Sequence, residues 1–325
     1  MIGVWLVLLG SALAILAAGQ TLVRSAERIA RATGLSQGWI GFILVAMVTS
    51  LPELVATMTG GGIDAPGIAV GNALGSNAFN LGILGLMGLL SGTAFFSRLS
   101  SSHVLSATGT VLLTAVVVGA VAMGGGISLG RVSLISCFLV GLYLVLVYVQ
   151  FRAEEGTPPE PGLGLGTAPW LALLSAAVIV VAGVALTYAA KEVSLRTGIS
   201  QSVVGSLLVA LATSLPEVAA SLGALRLRAY NLLAGDIFGS NMFNVVTVFF
   251  ADLTLGRPIL GALEADAWPL MLVAALGMGL SAVAVLGLML SPKGGRSRSV
   301  DPASLVLTLS YLGGLGLLAV RGFVP

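Results

Sequence analysis

Apolar residues in this chain run unbroken for about twenty positions at a time, instead of recurring every third or fourth position as on the face of a soluble helix. Ten such stretches can be read, at about 2–22, 37–61, 65–91, 104–124, 129–151, 168–190, 201–225, 229–252, 268–290 and 303–322, and each reaches the roughly 20 residues that cross a bilayer as a helix. The connections are short. The longest, 152–166, carries Arg152, Glu154, Glu155, Glu160 and the prolines Pro158, Pro159 and Pro161, a composition that reads as a flexible linker. The pattern predicts an all-α polytopic membrane protein of ten transmembrane helices. A five-span half over 1–151 and another over 168–325 would flank a linker at 152–167. The first stretch has no basic start and is followed by Arg24, Arg28 and Arg31, so it is expected as a retained helix and not a leader.

Composition narrows the class. Apolar residues make up 57% of the 325 positions and charged residues only 9%, against about 25% charged in soluble domains. The 44 glycines lie inside apolar runs, as small residues do where membrane helices pack closely. A net charge of +2 is too small to point to nucleic acid. One cysteine, Cys137, excludes an intrachain disulfide, and one histidine, His103, argues against a histidine-rich metal centre or a Ser-His triad.

Basic residues suggest an orientation. With the N-terminus outside, Arg24, Arg28, Arg31, Arg98, Arg152, Arg226, Arg228, Lys293, Arg296 and Arg298 fall on the cytoplasmic side. Only Arg131, Lys191, Arg196, Arg257 and Arg321 fall outside. That bias predicts both termini outside, in the cell (inner) membrane.

The chain repeats itself. Residues 34–80 align without gaps on 198–244 at an offset of 164, with identical residues at 20 of the 47 positions. Gly34, Ser36, Gln37 and Gly41 match Gly198, Ser200, Gln201 and Gly205. The block from Thr49 through Ser50, Leu51 and Pro52 to Glu53 recurs from Thr213 to Glu217, and Gly75-Ser76-Asn77 with Phe79-Asn80 recurs from Gly239 to Asn244. The two repeats, about 34–91 and 198–252, start five crossings apart. An odd number places them in opposite orientations, the inverted arrangement that builds secondary transporters with a midplane site.

Three acidic residues lie well inside apolar stretches: Glu53, Glu217 and Asp236. A charge at that depth costs about 2.5–3.5 kcal/mol, so it should face a cavity or a cation. Pro52 and Pro216 precede the two glutamates and remove helical N–H donors, which frees the carbonyls near Thr49 and Thr213 to turn toward a cavity. The hydroxyls of Thr49, Ser50, Thr213 and Ser214 are candidate ligands, although back-bonding to their own helices is the plainer expectation for Ser50 and Ser214. Asn72, Ser76 and Asn80 share a helix face by their spacing of four, and Asp236, Ser240 and Asn244 repeat it. Asn77 and Asn241 point elsewhere and suit helix packing, as do Gly71, Gly75, Gly235 and Gly239. Carboxylates, carbonyls, hydroxyls and amide oxygens form an all-oxygen set, suited to Ca2+ or Na+ and not to transition metals.

At these residues the chain resembles the cation/Ca2+ antiporter superfamily, most closely its prokaryotic sodium/calcium exchangers. The paired TSLPE and GSNxFN blocks look like that family's two α-repeats. The resemblance implies that Glu53 and Glu217 coordinate Ca2+ with backbone carbonyls near Thr49 and Thr213, and that Ser76, Asn80, Ser240 and Asn244 line Na+ sites. It also implies an outside N-terminus. Amides stand at both Asn80 and Asn244, where some members carry an aspartate, and Asp236 is an acid where its repeat partner Asn72 is an amide.

The function expected is Na+/Ca2+ exchange by alternating access, with Ca2+ and Na+ as transported ions and no cofactor, nucleic acid or obligatory protein partner. Ca2+/H+ or monovalent-cation/H+ exchange at the same site is the alternative, with a channel or an intramembrane acid protease as other classes. His103 is expected as a solvated loop residue, as are Asp252, Glu264 and Asp266.

Overall fold

A computed structural model describes residues 1–33, 46–92, 94–152, 164–263, 267–291 and 301–322. Those residues form helices α1 (Ile2–Thr33), α2 (Ala46–Thr49), α3 (Leu51–Gly62), α4 (Pro66–Leu90), α5 (His103–Ala122), α6 (Leu134–Arg152) and α7 (Ala168–Thr197). After them come α8 (Gln201–Val204), a π-helical turn (Gly205–Val209), α9 (Ala210–Thr213), α10 (Leu215–Arg226), α11 (Tyr230–Leu255), α12 (Ala267–Leu290) and α13 (Pro302–Gly322). The remaining elements are a two-residue hairpin, Ser128–Leu129 with Val132–Ser133, and short 3-10 turns.

The ten expected stretches map onto these elements unevenly. Helices α1, α4, α5, α7, α11 and α12 are each long and apolar enough to cross a bilayer, and α6 and α13 are shorter apolar helices. The seventh stretch is one path from Gln201 to Arg226, bent by 44° at Ser214. The second is described only from Ala46 onward, so its first half, with Gly34, Ser36, Gln37 and Gly41, lies outside the described residues. Helix α1 has 32 residues and runs on to Thr33, well past Leu22, where the apolar stretch ends. Its last turns keep burying Leu22, Val23 and Ala26 while Arg24 and Arg28 stay exposed. Charge ends an apolar run, but it does not end the backbone hydrogen bonding of an amphipathic helix.

Helices α4 and α11 form the centre, buried along most of their length. Helices α3 and α10 lie against them. Helices α1 and α7 pack together on one flank, and α5, α6, α12 and α13 complete the other. Outward faces carry Leu6, Leu9, Leu173, Val181, Leu286 and Leu309, an apolar surface that lipid can cover.

Close approach at the centre depends on glycine. A Cβ on Gly75 would lie 2.5 Å from Ser206 Cα, and one on Gly205 would lie 2.6 Å from the Ile68 carbonyl oxygen. Gly71 meets Ser202 and Ser206 in the same way. Gly235 does not: its nearest neighbour would be His103 at an ordinary 3.7 Å.

Helices α3 and α10 end in the same turn. Asp64 (φ 54°) and Arg228 (φ 56°) are left-handed. The Ala65 N–H reaches the Gly60 carbonyl at 2.8 Å, and the Ala229 N–H reaches that of Ala224 at 2.9 Å. Asp64 and Arg228 each bond the carbonyl three residues back, which completes a Schellman motif in both places. The two turns stand 164 positions apart.

Two expectations are corrected. His103 is buried, 4% exposed, with its ring 6.0 Å from that of Phe238. The serines before it do not form an open loop, because the Ser100 N–H donates to Asn231 Oδ1 at 2.7 Å and ties the turn to α11. Asp252 is fully buried in the last turn of α11, where it accepts the N–H groups of Ser133 (2.9 Å) and Ile259 (2.7 Å). It organises the hairpin and the turn beyond. Glu264 and Asp266 lie outside the described residues.

Candidate ion-binding site

The two TSLPE blocks break their helices alike. Ser50 (φ −83°, ψ 9°) and Ser214 (φ −85°, ψ 12°) leave the helical path, and the proline of each block sits in the first turn of the helix that follows. Proline is tolerated there because the first N–H groups of a helix have no intrahelical partner. Each break therefore opens two ends: a carbonyl terminus over Ala46–Thr49 or Ala210–Thr213, and a fresh first turn carrying Glu53 or Glu217.

The breaks face each other, and their side chains cross over. Ser214 Oγ donates to Glu53 Oε1 at 2.7 Å, and Ser50 Oγ donates to Glu217 Oε1 at 3.4 Å. Thr213 Oγ1 donates to Asn72 Oδ1 at 3.1 Å, and Thr49 Oγ1 donates to Asp236 Oδ1 at 3.1 Å. Asn77 Nδ2 donates to the Asn241 carbonyl at 3.0 Å, and Asn241 Nδ2 returns the bond to the Asn77 carbonyl at 3.2 Å. Each bond has its counterpart 164 residues away, so a local two-fold axis passes between α4 and α11. Back-bonding, the plainer expectation for Ser50 and Ser214, is replaced by bonds across this axis. Thr49 and Thr213 do both: Thr49 also reaches the Ala46 carbonyl, and Thr213 those of Val209 and Ala210.

All twelve candidate residues are buried, and their geometry differs in what each leaves available. Ser76 Oγ contacts Glu53 Oε1 at 3.4 Å, and Ser240 Oγ lies 3.2 Å from Thr49 Oγ1 and 3.4 Å from the Ala46 carbonyl. Asn72 is saturated, because its Nδ2 donates to the Glu53 carbonyl (3.1 Å) and to Thr57 Oγ1 (3.0 Å). Asn80 Nδ2 is held by Asn241 Oδ1 at 3.0 Å. Glu53 Oε2, Glu217 Oε2, Asp236 Oδ2, Asn80 Oδ1 and both side-chain atoms of Asn244 are buried without a hydrogen-bond partner.

A buried polar atom left unsatisfied costs about 1–3 kcal/mol, and more when it is charged. Neither salt bridge among the described residues, Arg196–Glu192 or Arg257–Asp64, touches these carboxylates. No basic side chain among the described residues pairs with them. Among the described residues no three Asp, Glu, His or Cys side chains converge on one point. Carboxylates and neutral oxygens together would have to make up any coordination shell, which is the chemistry of hard cations.

Three features escaped sequence reading. Thr57 and Ser221, also 164 apart, each sit one helical turn after a glutamate, and the repeat could have shown them. The Asn77–Asn241 amide exchange is a cross-axis bond where only packing was foreseen. A cleft of about 370 Å³ beside α1 is lined by Gln20, Arg24, Glu27, Pro216, Ala220 and Asp236, among others. No sequence signal marks it, because it forms between segments distant along the chain.

Comparison with known proteins agrees with this architecture. A family model described as sodium/calcium exchanger protein matches residues 3–152 and 167–320. The inner membrane protein YrbG of Escherichia coli is 29% identical over 252 residues, covering 74% of this chain and 74% of that protein. The sodium/calcium exchanger MaX1 of Methanosarcina acetivorans is 26% identical over 269 residues, covering 70% of this chain and 75% of its own length. Among solved structures, the sodium-calcium exchanger NCX_Mj matches with a TM-score of 0.64 at 24% identity, covering 96% of this chain and 99% of that one. That likeness shows a shared fold. The family match spans nearly the whole chain, and the protein belongs to the sodium/calcium exchanger family: an integral membrane cation antiporter, not an enzyme.

Proposed function

We propose that this antiporter exchanges Na+ for Ca2+ at the crossing of the two helix breaks. Glu53 and Glu217 would bind Ca2+ through their Oε2 atoms, which are buried without a hydrogen-bond partner on residues whose Oε1 atoms meet serines across the two breaks. That pairing carries the reading. Two carboxylates balance one divalent ion, and nearby carbonyls and hydroxyls supply neutral ligands at the flexible geometry Ca2+ accepts. Thr49, Thr213, Ser76, Asn80, Ser240 and Asn244 would serve Na+ in its place. Once Ca2+ leaves, the paired charges need Na+ ions to replace it, which couples the two flows.

The two-fold relation supports alternating access. If the halves exchange conformations, one structure implies a second of similar energy that opens on the opposite side. The present state is asymmetric. The Ser214–Glu53 bond is short and the Ser50–Glu217 bond long, and the cleft reaches the site along α10 beside Pro216 and Ala220. On the reading that both termini lie outside the cell (inner) membrane and the linker at 152–167 is cytoplasmic, the cleft, lined by Arg24 and Arg226, would open inside.

Uptake of 45Ca2+ into vesicles tests this reading under an imposed Na+ gradient and, separately, a pH gradient. Saturable uptake should require the Na+ gradient, and Glu53→Gln or Glu217→Gln should each abolish it, because glutamine keeps size but removes the balancing charge. Near-normal flux in either variant would overturn the site. Uptake driven only by the pH gradient would overturn Na+ as the coupling ion.

A further inference from the structure

At the site the repeat changes from an amide to an acid, Asn72 against Asp236. In the first half, Asn72 Oδ1 accepts from Thr213 while Nδ2 bridges two oxygens, the Glu53 carbonyl at 3.1 Å and Thr57 Oγ1 at 3.0 Å. The matching positions in the second half are Asp236, Glu217 and Ser221. Asp236 Oδ1 accepts from Thr49 at the same 3.1 Å as Asn72 Oδ1 accepts from Thr213, which leaves Oδ2 as the counterpart of the Asn72 Nδ2. An amide nitrogen donates two hydrogens, and a carboxylate oxygen donates none. Asp236 Oδ2 and Ser221 Oγ are accordingly both without a hydrogen-bond partner, although Asp236 is 2% exposed and Ser221 is 0% exposed. Where the first half has a donor between two acceptors, the corresponding atoms of the second half are three oxygens, and the two side-chain oxygens have no donor.

We infer that Asp236 Oδ2, Ser221 Oγ and the Glu217 main-chain carbonyl form a monovalent-cation site of Na+ type, present in the second half only. A cation does there what the two N–H groups of Asn72 do in the first half: it satisfies the Asp236 and Ser221 side-chain oxygens, which have no donor, and draws on the second lone pair of the Glu217 carbonyl. One carboxylate balances one positive charge, whereas Ca2+ takes six to eight oxygens and more negative charge, and transition metals select nitrogen or sulfur. Asp236 lines the cleft with Gln20, Glu27 and Ala220, so water can complete the shell and the ion has a route in. The site lies beside Glu217 but apart from the crossing of the two breaks. It adds a coupling-ion position to the proposed exchange, and it rests on that reading only in taking Na+ as the ion.

Equilibrium binding of 22Na+ to the purified full-length chain, without Ca2+, tests it. Asp236→Asn copies the first half, and its amide should bridge the Glu217 carbonyl and Ser221. Bound Na+ should fall by one per protein, while circular dichroism and size exclusion show a folded monodisperse chain. Asn72→Asp should build the matching site in the first half and raise the count by one. Ser221→Ala should weaken the Asp236-dependent fraction about tenfold, as expected for the loss of one ligand to a charge. Equal Na+ counts in wild type and Asp236→Asn would overturn the inference. So would a variant that changes only proton uptake, read with a pH indicator under the same conditions. Because the count is made without Ca2+, a chain that binds this Na+ but fails Na+-driven Ca2+ uptake would sink the exchange reading and leave the site standing.

Discussion

Ser214→Ala and Ser50→Ala remove the same hydroxyl from equivalent positions, yet their effects should be unequal. Ser214 Oγ donates to Glu53 Oε1 at 2.7 Å, and Ser50 Oγ reaches Glu217 Oε1 at 3.4 Å. A hydrogen bond to a charged group contributes about 1.5–3 kcal/mol at good geometry. At 3.4 Å the contact lies beyond the usual range and contributes little. Without Ser214, Glu53 Oε1 loses its short hydrogen bond and keeps the 3.4 Å contact from Ser76. The carboxylate can then leave the rotamer that aims Oε2 at the ion, and re-ordering it on each binding event should cost about 1.4 kcal/mol, a tenfold loss of affinity. The half-saturating Ca2+ concentration for Na+-driven uptake in proteoliposomes should therefore rise about tenfold in Ser214→Ala and less than twofold in Ser50→Ala. Both variants should be compared at matched protein content and matched thermal stability in detergent. Equal effects, or a larger one at Ser50, would refute the argument from the two bond lengths.

Two further outcomes follow from the fold and its orientation. In a Cys137→Ala background, a cysteine at Arg257 should react with an impermeant reagent added outside intact cells and one at Gly164 should not; labelling at Gly164 alone would reverse the topology. Gly75→Ala places a Cβ 2.5 Å from the Ser206 backbone and should destabilise by about 1–3 kcal/mol through overpacking, whereas Gly10→Ala meets nothing within 4 Å; a detergent melting curve for Gly75→Ala that superimposes on wild type would contradict the close approach.

Most of the architecture was legible because membrane helices declare themselves by length and apolarity, signals that need no tertiary context. The proline after each break was equally plain, since a missing N–H must end a helix or bend it. His103 and Asp252 misled for a common reason. Polarity near the end of an apolar run reads as solvent exposure, but both residues are packed inside the protein, His103 at the start of α5 and Asp252 in the last turn of α11. Asp252 holds two backbone N–H groups, and Ser100–Asn231 pulls the turn before His103 inward. Neither the Ser133–Asp252 nor the Ser100–Asn231 bond leaves a trace in local sequence, because each joins segments more than a hundred residues apart.

The hydroxyls show where pattern reading stops. Ser50 and Ser214 carry the same flanking residues whether they bond back to their own helices or across to the other half, so no local rule separates the two cases. What separates them is the two-fold axis, which places each serine opposite the other half's glutamate. The same axis turns the single difference between Asn72 and Asp236 from a surface-like substitution into a change of chemistry. In one half, donors meet acceptors and the cluster closes on itself. In the other, Asp236 Oδ2 and Ser221 Oγ have no donor, which is the basis of the Na+ site proposed above. Related halves give a carrier two states of similar energy, and their differences then decide which ions bind in each state. The positions that break the 164-residue repeat are therefore where coupling should be sought, and Asp236 is a buried acid among them that borders the cleft.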